Sequence, residues 1–256
     1  MRKKVIVSYI LLLLIIACQP PPPKKRSMSV KHNYIILLDL SDRLIVQPDQ
    51  PERDKEIIRA IYELFEQNVR KDLYIRSRDE IKVVIAPQRG SGLRTDTYEE
   101  ELYVNMENIK NVYRRPKEEE RRTNFYNSLD GLYKKAVFSK IPKQYYGADI
   151  WKYFYEDLKT DYSNDTLTKN FLFILTDGYP IVGKDVKKLQ PVKEALPDLH
   201  IVLVEASPRD KDLEWDRIME MWAEWFDSME IQEYTFIKRK AISKEVEQIK
   251  GIIGKN

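Results

Sequence analysis

Tyr34-Ile35-Ile36-Leu37-Leu38-Asp39-Leu40-Ser41-Asp42-Arg43 is the stretch on which the reading of this chain turns. An unbroken apolar run of strand length is what a β-strand presents when both of its faces are covered, as in a parallel sheet between helical layers. The run stops at Asp39, and polar residues follow at once. A second stretch repeats the design: Phe171-Leu172-Phe173-Ile174-Leu175 is wholly apolar and ends in Thr176-Asp177-Gly178.

Outward from these two strands, the pattern alternates. Residues 52–70 carry Ile57, Ile58, Ile61, Leu64, Phe65 and Val69 at helical spacing, which predicts an amphipathic helix. Residues 81–86 read as a strand stopped by Pro87, and 102–104 as a short one. A helix is predicted over 123–137, with Thr123 at its head and Phe125, Leu129, Leu132, Tyr133 and Val137 along one face. Strands are expected at 200–204 and 231–237, and helices at 213–229 and 243–253. Alternating strands and helices imply an α/β fold, doubly wound, with a mostly parallel central sheet flanked by helices and right-handed crossovers.

In an open α/β sheet, ligands bind outside the carboxyl ends of the strands. Asp39 with Ser41, and Asp177, therefore belong at one edge, and oxygen donors of this kind suit a hard cation such as Mg²⁺. Taken alone, each has a plainer reading, as a cap on the turn or helix that follows. Together the motifs resemble the von Willebrand factor type A domain over roughly residues 33–250. That family builds a metal-ion-dependent adhesion site from Asp-x-Ser-x-Ser after the first strand, a threonine at the head of a later helix and an aspartate after the fourth strand. The resemblance implies Asp39, Ser41, Thr123 and Asp177 as the metal set, Mg²⁺ as the ion and a protein as the partner. Arg43 stands where the family has its second serine. A guanidinium about 5 Å from a divalent cation meets roughly 7 kcal/mol of repulsion at an effective dielectric of about 20. Either Arg43 points away and the ion keeps fewer ligands, or Arg43 itself substitutes for the metal between Asp39 and Asp177, or Asp42 supplies the missing oxygen.

The amino terminus carries a different message. Arg2, Lys3 and Lys4 precede an apolar run over 5–17 that ends at Cys18 and a row of prolines, the order of a secretory signal and too short for a bilayer crossing. Ile15-Ile16-Ala17-Cys18 resembles the lipobox of bacterial lipoproteins, which implies cleavage before Cys18 and lipid on its thiol; Cys18 is the only cysteine of the chain. The organisation expected is a signal peptide over 1–17, a lipidated Pro/Lys-rich tether over 18–32 and a type A-like domain over 33–256. Gln19 in place of an aspartate implies, by the same resemblance, the outer membrane, with the domain facing the periplasm. Removing Arg2, Lys3 and Lys4 takes Lys+Arg from 44 to 41 against 41 Asp+Glu, so the mature chain is neutral and gives no nucleic-acid footprint. His32 and His200 are the only histidines, too few for a zinc site.

Two further features compete for attention. Trp215, Ile218, Met219, Trp222, Trp225, Phe226 and Met229 form a stripe that reads first as core and second as a partner surface. The tyrosine-rich segment over 140–165 reads as a packed helix over 148–158 or as a lid over the site. The functional expectation is a membrane-anchored binding or scaffold protein of the bacterial envelope, not an enzyme. The alternatives are a haloacid-dehalogenase-type phosphohydrolase, against which Ser41 stands at the position of its second aspartate, and a structural envelope protein with a decayed site.

Overall fold

The computed structural model describes residues 29–89, 96–139, 147–180, 189–193, 195–205 and 212–255; the expected signal, Cys18 and most of the tether lie outside the described residues. Six strands make the main sheet: β1 (Lys31–Leu38), β2 (Glu80–Ile85), β4 (Tyr103–Asn105), β6 (Thr168–Leu175), β7 (Leu199–Val204) and β8 (Glu233–Ile237). Their order is β4-β2-β1-β6-β7-β8, and every pairing is parallel except that of β2 with β4. A two-stranded ladder, β3 (Gln88–Arg89) with β5 (Gly147–Ala148), stands apart from it.

Alternation along β1 explains the two layers. Tyr34, Ile36 and Leu38 point to one face, where Ile57, Ile58, Ile61 and Phe65, then Phe125, Leu129 and Leu132, then Ile249 and Ile253 close over them. Ile35 and Leu37 point to the other, against Tyr153, Phe154, Trp222, Trp225 and Phe226. The helices Gln50–Lys71, Glu118–Phe138 and Ile242–Lys255 therefore cover one side, and Ile150–Glu156 and Asp212–Ser228 the other. A strand buried on both sides must be apolar at every position, which is why β1 and β6 read as continuous runs. The sheet is α/β and doubly wound, as expected. Among the described residues, the buried apolar side chains of both faces lie between Tyr34 and Ile253.

The differences from expectation have local causes. β1 and β6 begin earlier than their apolar runs, where Asn33 Nδ2 donates to Asn170 Oδ1 on the neighbouring strand at 2.9 Å and to the carbonyl of Asp161, at the end of the helix Leu158–Asp161, at 2.8 Å. The helix expected to begin at Thr123 begins at Glu118. Glu118, Glu119 and Glu120 crowd its first turn, where the helix dipole favours negative charge, and Thr123 sits inside the helix and exposed. The strand expected over 231–237 begins at Glu233, since Glu230 (φ 57°) turns the chain out of the preceding helix. In the tyrosine-rich segment, helices run over Ile150–Glu156 and Leu158–Asp161, with Tyr153, Phe154 and Tyr162 buried, which is the packed alternative; residues 140–146, with Tyr145 and Tyr146, lie outside the described residues. The aromatic helix is core: Trp222, Trp225 and Phe226 are buried.

Candidate functional site

β1 and β6 are neighbours, and the chain leaves them in opposite directions, β1 to β2 on one side and β6 to β7 on the other. The crevice between their carboxyl ends is thus the topological switch point, where open α/β sheets leave room for a ligand. Asp39 and Asp177 flank it.

The loop after β1 folds on its own side chains. Asp39 Oδ1 accepts the Ser41 backbone N–H at 2.8 Å, an Asx-type turn that bends the chain at once. Asp39 Oδ2 accepts the Thr176 hydroxyl at 2.9 Å, which ties the two loops together across the crevice. On the β6 side, Gly178 adopts φ 100°, a conformation that favours glycine. The Tyr179 N–H donates to Asp177 Oδ1 at 3.1 Å, and Trp222 Nε1 donates to the Gly178 carbonyl at 2.8 Å. The core tryptophan therefore pins the loop that carries Asp177.

Arg43 points inward. Its side chain is 3 % exposed and every polar atom has work: Nε donates to the Asp39 carbonyl at 2.7 Å, Nη1 and Nη2 to the two oxygens of Asp54 at 3.3 and 2.6 Å, and Nη2 also to the Leu175 carbonyl at 3.2 Å. Nε lies 3.9 Å from Asp39 Oδ2. Burial works against this charge, but Asp54 and Asp39 outweigh it and hold the guanidinium protonated. Asp54 also accepts from Gln50 Nε2 at 2.8 Å and from the Tyr133 hydroxyl at 2.9 Å. Burial pushes its carboxyl above the ordinary value, with Arg43 and Gln50 pulling the other way. The four donors use both oxygens twice, so a proton on Asp54 would displace one of them.

Of the residues expected at the site, Asp39, Ser41, Arg43 and Asp177 come together and Thr123 does not. Tyr133, which reaches Asp54, is ten residues further along the same helix, so Thr123 lies about 15 Å away along its axis. Its neighbour Arg122 pairs with Glu66 at 3.0 Å, and Glu118 with Arg70 at 2.8 Å, near the far end of Gln50–Lys71. Thr123 thus belongs to the amino-edge half of the molecule. Asp54, Gln50, Tyr133 and Thr176 were not anticipated as site residues.

A second polar ring adjoins the first. Glu205, at the end of β7 in a left-handed conformation (φ 57°), accepts from Gln50 Nε2 and Arg53 Nε, each at 2.5 Å. Arg53 also donates to Glu245 at 2.9 Å, and Arg239 reaches Gln47 at 2.7 Å, Asp49 at 2.6 Å and Gln50. Burial and then Glu205 push the Glu245 carboxyl up to about 7. Burial opposes the charge of Glu205, but hydrogen bonds from Glu245, Arg53 and Gln50 hold its carboxyl below the ordinary value.

No protein family, curated protein or solved structure matches the chain. The chemistry of the site must therefore be read from its own atoms. A divalent cation does not fit them. Both Asp39 oxygens already accept donors, a fixed guanidinium occupies the ground beside them, and among the described residues no three His, Cys, Asp or Glu side chains are grouped to hold an ion. Asp177 is the exception to full engagement. Burial, and then the charge of Asp39, push its half-buried carboxyl up to about 7. On the described segments that leave this edge, Ile45, Val46, Phe138 and Tyr179 are exposed, Phe138 at 78 %.

Proposed function

We propose that this chain is a lipid-anchored protein-binding or scaffold lipoprotein of the bacterial envelope, whose type A-like domain binds its partner at the carboxyl edge of the sheet without a metal ion. The observation that carries this reading is the position of Arg43. Its charge lies against Asp39 and Asp54 and not against Asp177, so it takes over the Asp39 part of the role an ion has in the type A family and leaves Asp177 unpaired by it. The loop geometry at the switch point, with Asp39 and Asp177 flanking it, supports the same reading; the remote Thr123 counts against the type A resemblance itself, which then rests on the two aspartate loops alone. The exposed Ile45, Val46, Phe138 and Tyr179, on segments that leave the same edge as Asp177, are the kind of surface a protein partner recognises: apolar area to bury, with a polar group to fix register. The domain would work as a binder rather than an enzyme, held by lipid on Cys18 at the outer membrane and facing the periplasm.

The test combines anchor and edge. Cys18→Ala should move the protein out of the membrane fraction, and unchanged fractionation would end the lipoprotein reading. Cross-linking in cells should trap a partner that is lost in Phe138→Ser/Tyr179→Ser and kept in Thr123→Ala. A partner retained by the first variant and lost by the second would place the binding face elsewhere.

A further inference from the structure

The opposite edge of the sheet has a surface that the binding role leaves unused. Two segments form it: the loop over residues 72–78, between the helix Gln50–Lys71 and β2, and residues 109–114, which end in the short helix Asn111–Arg114. Arg114 is buried and staples them, donating from Nε to the Ile109 carbonyl at 2.9 Å and from Nη1 to the carbonyls of Tyr74 and Ser77 at 2.9 and 3.1 Å. From this fixed base Leu73 (64 % exposed), Ile75 (58 %), Val112 (70 %) and Tyr113 (49 %) project into solvent. Their exposure is not an accident of a loose loop. Leu73 and Tyr74 both hold positive φ, 54° and 60°, a conformation that costs a bulky residue about 1–2 kcal/mol. It turns Tyr74 inward, where its hydroxyl donates to Glu118 at 2.9 Å, and Leu73 outward.

Beside these side chains stand Asp72, half-buried, and an excess of exposed cations. Arg76, Lys110 and Arg115 are exposed and meet no carboxylate among the described residues, whereas Glu107 and Glu118 are tied to Lys31 and Arg78 and to Arg70. An open cleft of about 630 Å³ is lined by Asn108, Ile109, Lys110, Tyr113, Lys117 and Arg121; Lys117, paired with Glu120 at 3.3 Å, lies 5.8 Å from the Tyr113 ring centre, and Arg121 donates to the Tyr113 carbonyl at 3.1 Å. The described chain also begins here. Ser29 Oγ donates to the Arg76 carbonyl at 2.7 Å, and Val30 is exposed beside it. Residues 18–28 can span at most about 40 Å when fully extended.

We propose that this edge is a membrane-docking surface: Leu73, Ile75, Val112 and Tyr113 enter the headgroup region of the bilayer, and Arg76, Lys110 and Arg115 lie on anionic phospholipid headgroups. The proposal rests on lipidation of Cys18, whose tether joins the fold at this edge through Ser29 and Val30. Apolar tips ringed by cations are the composition that binds interfacially, and a single lipid anchor gains from a second contact. Docking also orients the molecule. Strands of about 26 Å then separate the bilayer from the carboxyl edge, which faces outward toward its partner.

The experiment uses the mature chain from residue 18 with Cys18→Ser, and so without lipid, in co-sedimentation with vesicles of phosphatidylglycerol mixed with phosphatidylcholine, and of phosphatidylcholine alone. Binding is expected on the anionic vesicles, weakening with salt. Leu73→Asn/Val112→Ser should weaken it roughly tenfold or more, and Arg76→Glu or Lys110→Glu by about fivefold or more each. Leu73→Asn also relieves the backbone, so it should melt at or above the wild-type temperature while binding vesicles less well. Four results would overturn the proposal: no vesicle binding by a folded domain, equal binding to both vesicle types, competition by inorganic phosphate alone, or self-association through Val112 and Tyr113. Failure here with Cys18-dependent fractionation intact would remove the docking surface and leave the lipoprotein reading standing; the converse result would do the opposite.

Discussion

Replacing Arg43 by methionine removes one charge and four hydrogen bonds, to both Asp54 oxygens and to the carbonyls of Asp39 and Leu175. Methionine fills much of the volume, so the loss is electrostatic rather than a cavity. Asp54, 0 % exposed, keeps only Gln50 and Tyr133 as donors, and Asp39 loses its nearest cation. Stripping one partner from a buried ion pair typically costs about 3–5 kcal/mol. For a domain of this size each kcal/mol moves the melting temperature by about 2–4 °C, so a fall of roughly 10 °C is expected. The double variant Arg43→Met/Asp54→Leu discards both charges and should recover more than half of that loss. The pH dependence gives an independent check. Without Arg43, the folded-state pKa of Asp54 rises further above its unfolded value, so the variant's stability is fullest below about pH 4 and declines as pH rises through the folded pKa. The gap from wild type should therefore be narrow in acid and wide at neutral pH. Urea titration followed by circular dichroism at both pH values measures it. A loss under about 1 kcal/mol at neutral pH, or a double variant less stable than Arg43→Met, would refute the assignment of Arg43 as the charge that holds this edge together.

Asp177 carries the opposite sign. Its folded carboxyl sits near 7, above an unfolded value near 4, so its contribution to stability is present below about pH 4 and is lost as pH rises through 7. Asp177→Asn should then stabilise the domain at pH 8, by on the order of 1 kcal/mol, and do nothing useful at pH 4; an equal effect at both values would remove the repulsion from Asp39. Trp222→Phe keeps most of the core volume but leaves the Gly178 carbonyl without its donor. A loss of about 1–3 kcal/mol is expected, with hydrogen exchange at the Gly178 and Tyr179 amides faster than in wild type; unchanged exchange there would detach the tryptophan from the site.

Much of the scaffold is legible without coordinates, because β1 and β6 are buried on both faces and cannot hide their apolar runs. An aspartate closing each run marks the carboxyl edge for the same reason: a charge cannot continue a buried strand unpaired. Asp54 is harder to see, yet it leaves a trace. It lies three, four and seven residues before Ile57, Ile58 and Ile61, on the apolar stripe of its helix, where an acid is out of place unless something pairs with it. Reading the stripe for its apolar residues alone passes over that acid. Thr123 shows the opposite failure. A threonine ahead of an amphipathic face looks like a cap, but Glu118, Glu119 and Glu120 start the helix earlier, and no local signal reports which sheet edge a given turn of helix will reach. The Glu205, Arg53 and Arg239 ring joins three distant segments, so only the folded chain assembles it.

The central claim, that Arg43 takes the place of a metal ion, is tested most directly by titrating Mg²⁺ and Mn²⁺ into wild type and Arg43→Ser and following the melting temperature. A ligand stabilises a fold only in proportion to its occupancy of the native state. The account predicts no shift for wild type, and a lower starting stability for Arg43→Ser that the added cation partly restores. A large shift in wild type, undiminished relative to Arg43→Ser, would contradict it.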